Sequence, residues 1–112
     1  MILQMVVCLP VTAEGVIDPR WGRAQRVALA EVTGDGVAGW KEFDVSWDSL
    51  HDEGTEGAHH ARIARFLQEN SVEAVVAGHM GPPMLHMLER MGIRVTLEAT
   101  GSARLAALKA VG

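Results

Sequence analysis

The segment Glu73–Val95, EAVVAGHMGPPMLHMLERMGIRV, decides the fold. Its apolar run Ala74-Val75-Val76-Ala77 is short and continuous, as a strand covered on both faces requires. The run stops at Gly78-His79-Met80-Gly81, and Pro82-Pro83 follow at once. Proline suits the first position of a helix, where its missing N–H costs nothing. Beyond it Met84, Leu85, Leu88 and Met91 recur at helical spacing, and Gly92 stands where a left-handed residue closes a helix. Arg94–Leu97 then reads as another strand. A strand, a helix and a second strand in this order give a parallel pair with a right-handed crossover. The chain is therefore expected to be α/β.

Working outward, Ile2–Leu9 is an apolar run broken only by Gln4, the pattern of a buried central strand. Pro10 is expected to end it, with a long turn-rich loop through Gly22. Arg26–Val32 and Val37–Val45 flank Thr33-Gly34-Asp35-Gly36, a hairpin signal. Ser46–Gly57 is acidic and contains glycine, so it reads as a loop. His59–Asn70 carries Ile63, Phe66 and Leu67 on one face of an amphipathic helix, and Ser102 suits the N-cap of a last helix through about Ala110. The order βββαβαβα predicts a mixed five-stranded sheet with helices packed on it. The first strand is central, with the hairpin on one side and the two late strands on the other. Ligands of such sheets bind beyond the carboxyl ends of the parallel strands, where the chain order reverses. Three segments are expected there: Pro10–Gly22, Gly78–Pro83, and the loop holding Thr100-Gly101-Ser102.

The 112 residues suit one domain, 1–112, and the 48% hydrophobic content is that of a chain with a real core. No apolar run approaches the roughly 20 residues of a membrane span. MILQMVVCLP lacks the basic start and small-residue cleavage site of a signal peptide, so the cytoplasm is the expected location. The single cysteine, Cys8, excludes an internal disulfide. A net charge of −4 without a basic stripe argues against nucleic acid as a partner.

Gly78 and Gly81 have two readings: they let an anion approach backbone N–H groups at a helix start, or they only make a tight turn. His79 and Met80 are soft donors, with Cys8 on the central strand a third, but there is no C-x-x-C and no second histidine at ligand spacing. Met80 is expected to pack, and His86 to face solvent. Neighbouring His59 and His60 diverge by about 100° on a helix and are expected to be solvent-facing rather than to share one ion. His51, in the acidic segment, is placed to fold over a ligand. Arg20-Trp21-Gly22-Arg23 ends a crevice loop, and its guanidinium groups suit an anion. Core packing is the expectation for Trp21, an exposed stacking face the alternative. Catalytic signals are absent: no G-x-S-x-G, no phosphate loop with lysine, and no carboxylate on the first strand to hold magnesium.

Val75–Val95 is similar to the Val-Ile-Ala-Gly-x-Ile-Gly-x-x-Ala-x-x-x-Leu-x-x-x-Gly-Ile-x-Val segment of the dinitrogenase iron–molybdenum cofactor biosynthesis family. Trp21-Gly22-Arg23-Ala24 resembles that family's Phe-Gly-Arg-Ala motif, which follows a strand ending in Pro-Val, here Pro10-Val11. Gly54–His60 resembles the family's stretch before the first helix, and the likeness spans essentially the whole chain in order. It implies a ribonuclease-H-like three-layer fold without nuclease activity. Members associated with nitrogenase bind the iron–molybdenum cofactor or its iron–sulfur precursor, and a relative in anaerobes binds a molybdenum–copper sulfide cluster. The chain departs from the pattern in two places: Arg20 stands where nitrogenase-type members often have histidine, and His79-Met80 fill the variable part of the Gly-x-x-Gly loop. An arginine cannot ligate a metal but can pair with a cluster's charge.

The resemblance thus implies a non-catalytic carrier of an anionic iron–sulfur or molybdenum–sulfide cluster or precursor. Its contacts would be Arg20, Trp21, Gly22, Arg23, Gly78, His79 and Gly81, with His79 the candidate metal ligand. The alternative is a regulatory or interaction module that binds a non-metal anion, or a partner protein at the hairpin edge. A hydrolase is the third reading.

Overall fold

The computed structural model describes residues 4–111. The first strand, β1, runs Gln4–Pro10, so Ile2 and Leu3 of the expected strand lie outside the described residues. It is followed by β2 (Arg26–Thr33), β3 (Gly36–Asp44), α1 (Trp47–Leu50), α2 (Glu56–Glu69), β4 (Ala74–Val76), α3 (Pro82–Arg90), β5 (Arg94–Thr96) and α4 (Ala103–Val111). The sheet order is β3-β2-β1-β4-β5, with β1 antiparallel to β2 and parallel to β4. This is the mixed sheet with a central first strand that the sequence predicts. The two residues Gly34-Asp35 turn the hairpin between β2 and β3.

Alternation along the strands sends successive side chains to opposite faces. Cys8, Val27, Val75 and Ala77 face Ile63 and Leu67 of α2 and Met84 and Leu88 of α3. Val7, Leu9, Ala28, Ala30 and Val76 face Ala103 and Ala107 of α4. Helices on both faces of one sheet make the three-layer, ribonuclease-H-like arrangement. Among the described residues no helix is long and apolar enough to cross a membrane.

Two expectations are corrected. Ser46–Gly57 is not simply a solvated loop: it contains α1, whose Trp47 is buried against Trp21 and Phe66. α2 also starts at Glu56, ahead of the expected His59, because Thr55 caps it by accepting the Ala58 N–H at 3.0 Å. The loop after Pro10 is likewise tied down. Val11 bridges Ile17, Val16 bridges Ser102, and Arg20 bridges His79. Those last two bridges draw the three predicted segments to one end of the sheet.

Candidate functional site

The cleft begins at Asp18, which is buried. Its carboxylate accepts the Arg20 backbone N–H at 2.9 Å and takes the Arg20 guanidinium in a fork, Nε and Nη2 each at 3.2 Å. Arg20 therefore arrives with its charge matched by Asp18, whose hydrogen bond is the main cause of its raised pKa. The chain then turns, with Ala24 N–H donating to the Trp21 carbonyl at 3.3 Å. The Trp21 indole points into the core, 1% exposed and edge-on to Trp47 at 5.2 Å between ring centroids. Core packing is the reading that holds for its ring.

His59 fixes this turn from across the cleft. Its Nε2 lies 2.8 Å from the Gly22 carbonyl, and Arg62 Nη1 lies 2.7 Å from its Nδ1. Arginine has no acceptor, so Nδ1 must accept and Nε2 must carry the hydrogen. The ring is neutral, and both nitrogens are used. Burial pushes its pKa below the ordinary value, and the Arg62 charge adds to that against the opposing Gly22 bond. The expectation that His59 faces solvent is therefore wrong: it is 2% exposed. Arg62 also donates to the Leu50 carbonyl at 3.3 Å, tying α1 to α2. His51 packs its ring edge-on to His59 at 5.2 Å, and its Nδ1 is 3.2 Å from Asp52. That hydrogen bond, then the Arg23 charge, holds the Asp52 carboxyl below its usual range.

Facing this wall is Gly78–Pro83. A Cβ on Gly78 would lie 3.2 Å from Pro19 Cα and 3.5 Å from the Ala99 carbonyl. Gly78 thus lets three loops close together, and it is not among the residues that line the cleft. Gly81 is different. It caps α3, lines the cleft, and a Cβ there would meet only Pro83 Cδ, at 3.9 Å. Pro82 and Pro83 occupy the first two helical positions. Neither has an N–H, so the helix start offers an anion fewer donors than a usual one. The cradle reading is weakened accordingly.

The enclosed space measures about 330 Å³, within the range of small-molecule sites. Arg20, Trp21, Gly22, Arg23, His79 and Gly81, six of the seven predicted contacts, line it. Met80 lines it too but is buried, as a packing residue should be. Sequence reasoning missed the wall that α2 contributes. His51, Glu56, His59 and His60 join His79 there, so four of the chain's five histidines meet at one cleft. The signals that could have found it were Trp47, a large apolar residue inside an acidic stretch, and Thr55 as an N-cap. His86 is exposed on α3, as expected. Cys8 is fully buried beneath the sheet face, its thiol pKa pushed far up by burial, and it does not line the cleft. The Thr100–Ser102 loop supports the cleft from outside: Gly101 accepts the Ile17 N–H at 2.8 Å, but the loop lines a separate groove beside α4.

Among the described residues no three His, Cys, Asp or Glu side chains gather around a point that could hold a metal ion. With both His59 nitrogens engaged, the ring nitrogens open to a metal-containing ligand belong to the exposed His79 and the half-buried His51 and His60. Arg23 is exposed at the same mouth. The cleft offers a ligand scattered imidazole and guanidinium groups. It lacks a preformed chelate.

The family model described as "Dinitrogenase iron-molybdenum cofactor" matches residues 4–112. No curated protein matches the chain. Several solved structures share the fold. One is the apo form of the orange protein from Desulfovibrio gigas, with a TM-score of 0.71 at 21% identity, covering 92% of this chain and 83% of that one. Another is PH0822, with a TM-score of 0.70 at 17% identity, covering 92% of this chain and 85% of that one. At these identities the likeness is one of fold.

Proposed function

This chain belongs to the dinitrogenase iron-molybdenum cofactor family, and from that premise we propose that it binds and hands on an anionic metal–sulfur species without transforming it. The observation that carries the reading is the convergence of His51, His60, His79, Arg20 and Arg23 on one cleft of about 330 Å³. Imidazole nitrogens suit iron, copper and similar metals, and guanidinium groups suit the cluster's charge. The absence of a chelate among the described residues favours a cargo that arrives already assembled, with its metals held by sulfide. A carrier has to release what it binds, and a few contacts at an open mouth allow that. Arg20 bears on the same point, because its pairing with Asp18 already offsets its charge at the cleft. The reading is of a cytoplasmic carrier that receives the species from one protein and passes it to another.

The test is anaerobic titration with tetrathiomolybdate and with iron plus sulfide, followed by desalting. The expected outcome is a shifted charge-transfer absorbance and retained metal in the wild type. In His79→Ala both should fall, with an unfolding midpoint within about 0.5 kcal/mol of wild type, since His79 is exposed. If the wild type retains no metal and shows no absorbance change, the proposal fails.

A further inference from the structure

Ala103 and Ala107 of α4 lie one helical turn apart and pack inward on the sheet, which leaves Leu105 and Leu108 on the outer side. Leu105 is 58% exposed and Leu108 36%. Among the described residues the other exposed large apolar side chain is Val16, and it stands at the same place. Val16 bridges Ser102 just ahead of α4, and Gly15 accepts the Ala103 N–H at 3.0 Å. Single exposed apolar residues are ordinary on a surface, but these three share one strip. Beside it lies a groove of about 560 Å³, bordered by Leu97, Leu105 and Ala106.

The strip carries opposite charges at its two ends. α4 starts at the cleft end of the sheet, where Gly101 accepts the Ile17 N–H, and finishes beside Arg94, whose Nη1 donates to the Ala110 carbonyl at 3.4 Å. Exposed Glu14 and Glu98 stand at the cleft end, and exposed Arg94 and Lys109 at the far end. Arg104 is turned aside over the Trp40 ring, 4.7 Å from its centroid. Among the described residues neither the two glutamates nor the two cations have an ion-pair partner within the chain. A partner of one sign would match one end of the strip and be repelled by the other. A second copy turned end for end matches both.

We infer that the outer face of α4 joins two copies of this chain in a homodimer, the helices antiparallel about a two-fold axis. Leu105 and Leu108 of each copy leave water against the ridge and groove of the other, and Arg94 and Lys109 of each stand beside Glu14 and Glu98 of its partner. The contact is isologous, so every apolar and charged group in it is used twice. It has an apolar centre and a charged rim, the usual anatomy of an interface. Because the two helices run in opposite directions, the two clefts open at opposite ends of the dimer and neither is covered. The inference does not depend on what the cleft binds.

The test is sedimentation velocity of the full chain from about 10 μM to about 1 mM, the range in which a small interface associates. The expected result is a shift from monomer to dimer within that range. Leu105→Asp should hold the protein monomeric at an unchanged unfolding temperature, because the side chain it replaces is exposed. Lys109→Glu should weaken association several-fold. Lys109→Glu combined with Glu98→Lys should restore it, since the two charges exchange places across the interface. A monomer throughout the range overturns the inference, even where α4 is then found to bind anionic vesicles or another protein. A dimer that Leu105→Asp leaves intact overturns it too, as does a double variant no tighter than Lys109→Glu.

Discussion

The wall at Arg20–Ala24 is held by side chains from elsewhere: His59 of α2 takes Gly22, and the Asp18 carboxylate takes Arg20 twice over. Among the described residues no side-chain hydrogen bond holds the wall at Gly78–Pro83; backbone bonds and the packing of Met80 do. Gly78 accepts the Glu98 N–H at 2.9 Å, Gly81 accepts the Leu85 N–H at 3.0 Å, and Gly78 presses against Pro19 where a Cβ would be crowded. The first wall can be released by deleting one side chain. The second has no such side-chain tie, and its tightest point is disturbed by added atoms.

The largest effect is expected where the first wall is cut. His59→Ala removes a buried ring, strips Gly22 of its donor and leaves Arg62 facing a void, at a cost of about 3 kcal/mol. The pH dependence has a fixed sign. The folded pKa of His59 lies below the ordinary 6.5, so as pH falls through 6.5 the unfolded chain takes up the proton first. Stability is therefore full above about 6.5, declines as pH drops towards the folded pKa, and is level again below it. Urea midpoints measured from neutral to mildly acidic pH should show this decline in the wild type and a shallower one in His59→Gln. Equal slopes in the two proteins would mean that the His59 ring is not held neutral by burial and Arg62.

The second wall is broken by addition. Gly78→Ala should cost about 1–3 kcal/mol, because the new methyl meets backbone atoms of Pro19 and Ala99 that cannot swing aside. Gly81→Ala, three residues on, has open space and loses only the better helix cap, so its cost should stay below about 1 kcal/mol. Thermal unfolding of the pair decides the matter. A Gly81 variant as unstable as the Gly78 variant would remove the distinction between a packing glycine and a cleft glycine.

The same contrast explains what was legible in the sequence. Gly78–Pro83 is local: an apolar strand, punctuation by glycine and proline, and a helical repeat can all be read within 20 or so consecutive residues. Its meeting with Arg20–Arg23 follows from strand order, which the hairpin and the crossovers determine. The α2 wall is not local. His59 is buried because Gly22, 37 residues earlier, presents a carbonyl to it, and no periodicity carries that information. α1 is four residues long behind Ser46 at φ 53, too short to show a repeat, and its acidic surroundings look solvated. Nor does the sequence tell Gly78 from Gly81, since two equal-looking glycines in one loop differ only in what packs behind them.

The smallest expected effect probes how much of the cleft's charge is held in reserve. Asp18→Asn keeps an Oδ1 to accept the Arg20 N–H but gives up the charge that the guanidinium now matches. Arg20 is 59% exposed at its side chain, so the lost pair is screened by water and stability should change little. Anion binding should respond more than stability does. With its guanidinium unpaired, Arg20 should tighten tetrathiomolybdate binding several-fold at low salt, and the gain should shrink at high salt as the charge is screened. Weaker binding in Asp18→Asn at low salt would point the other way, to Asp18 as the group that aims Arg20. The fork would then belong to the rigid wall, and the release of cargo would have to come from His79 and Arg23 at the mouth.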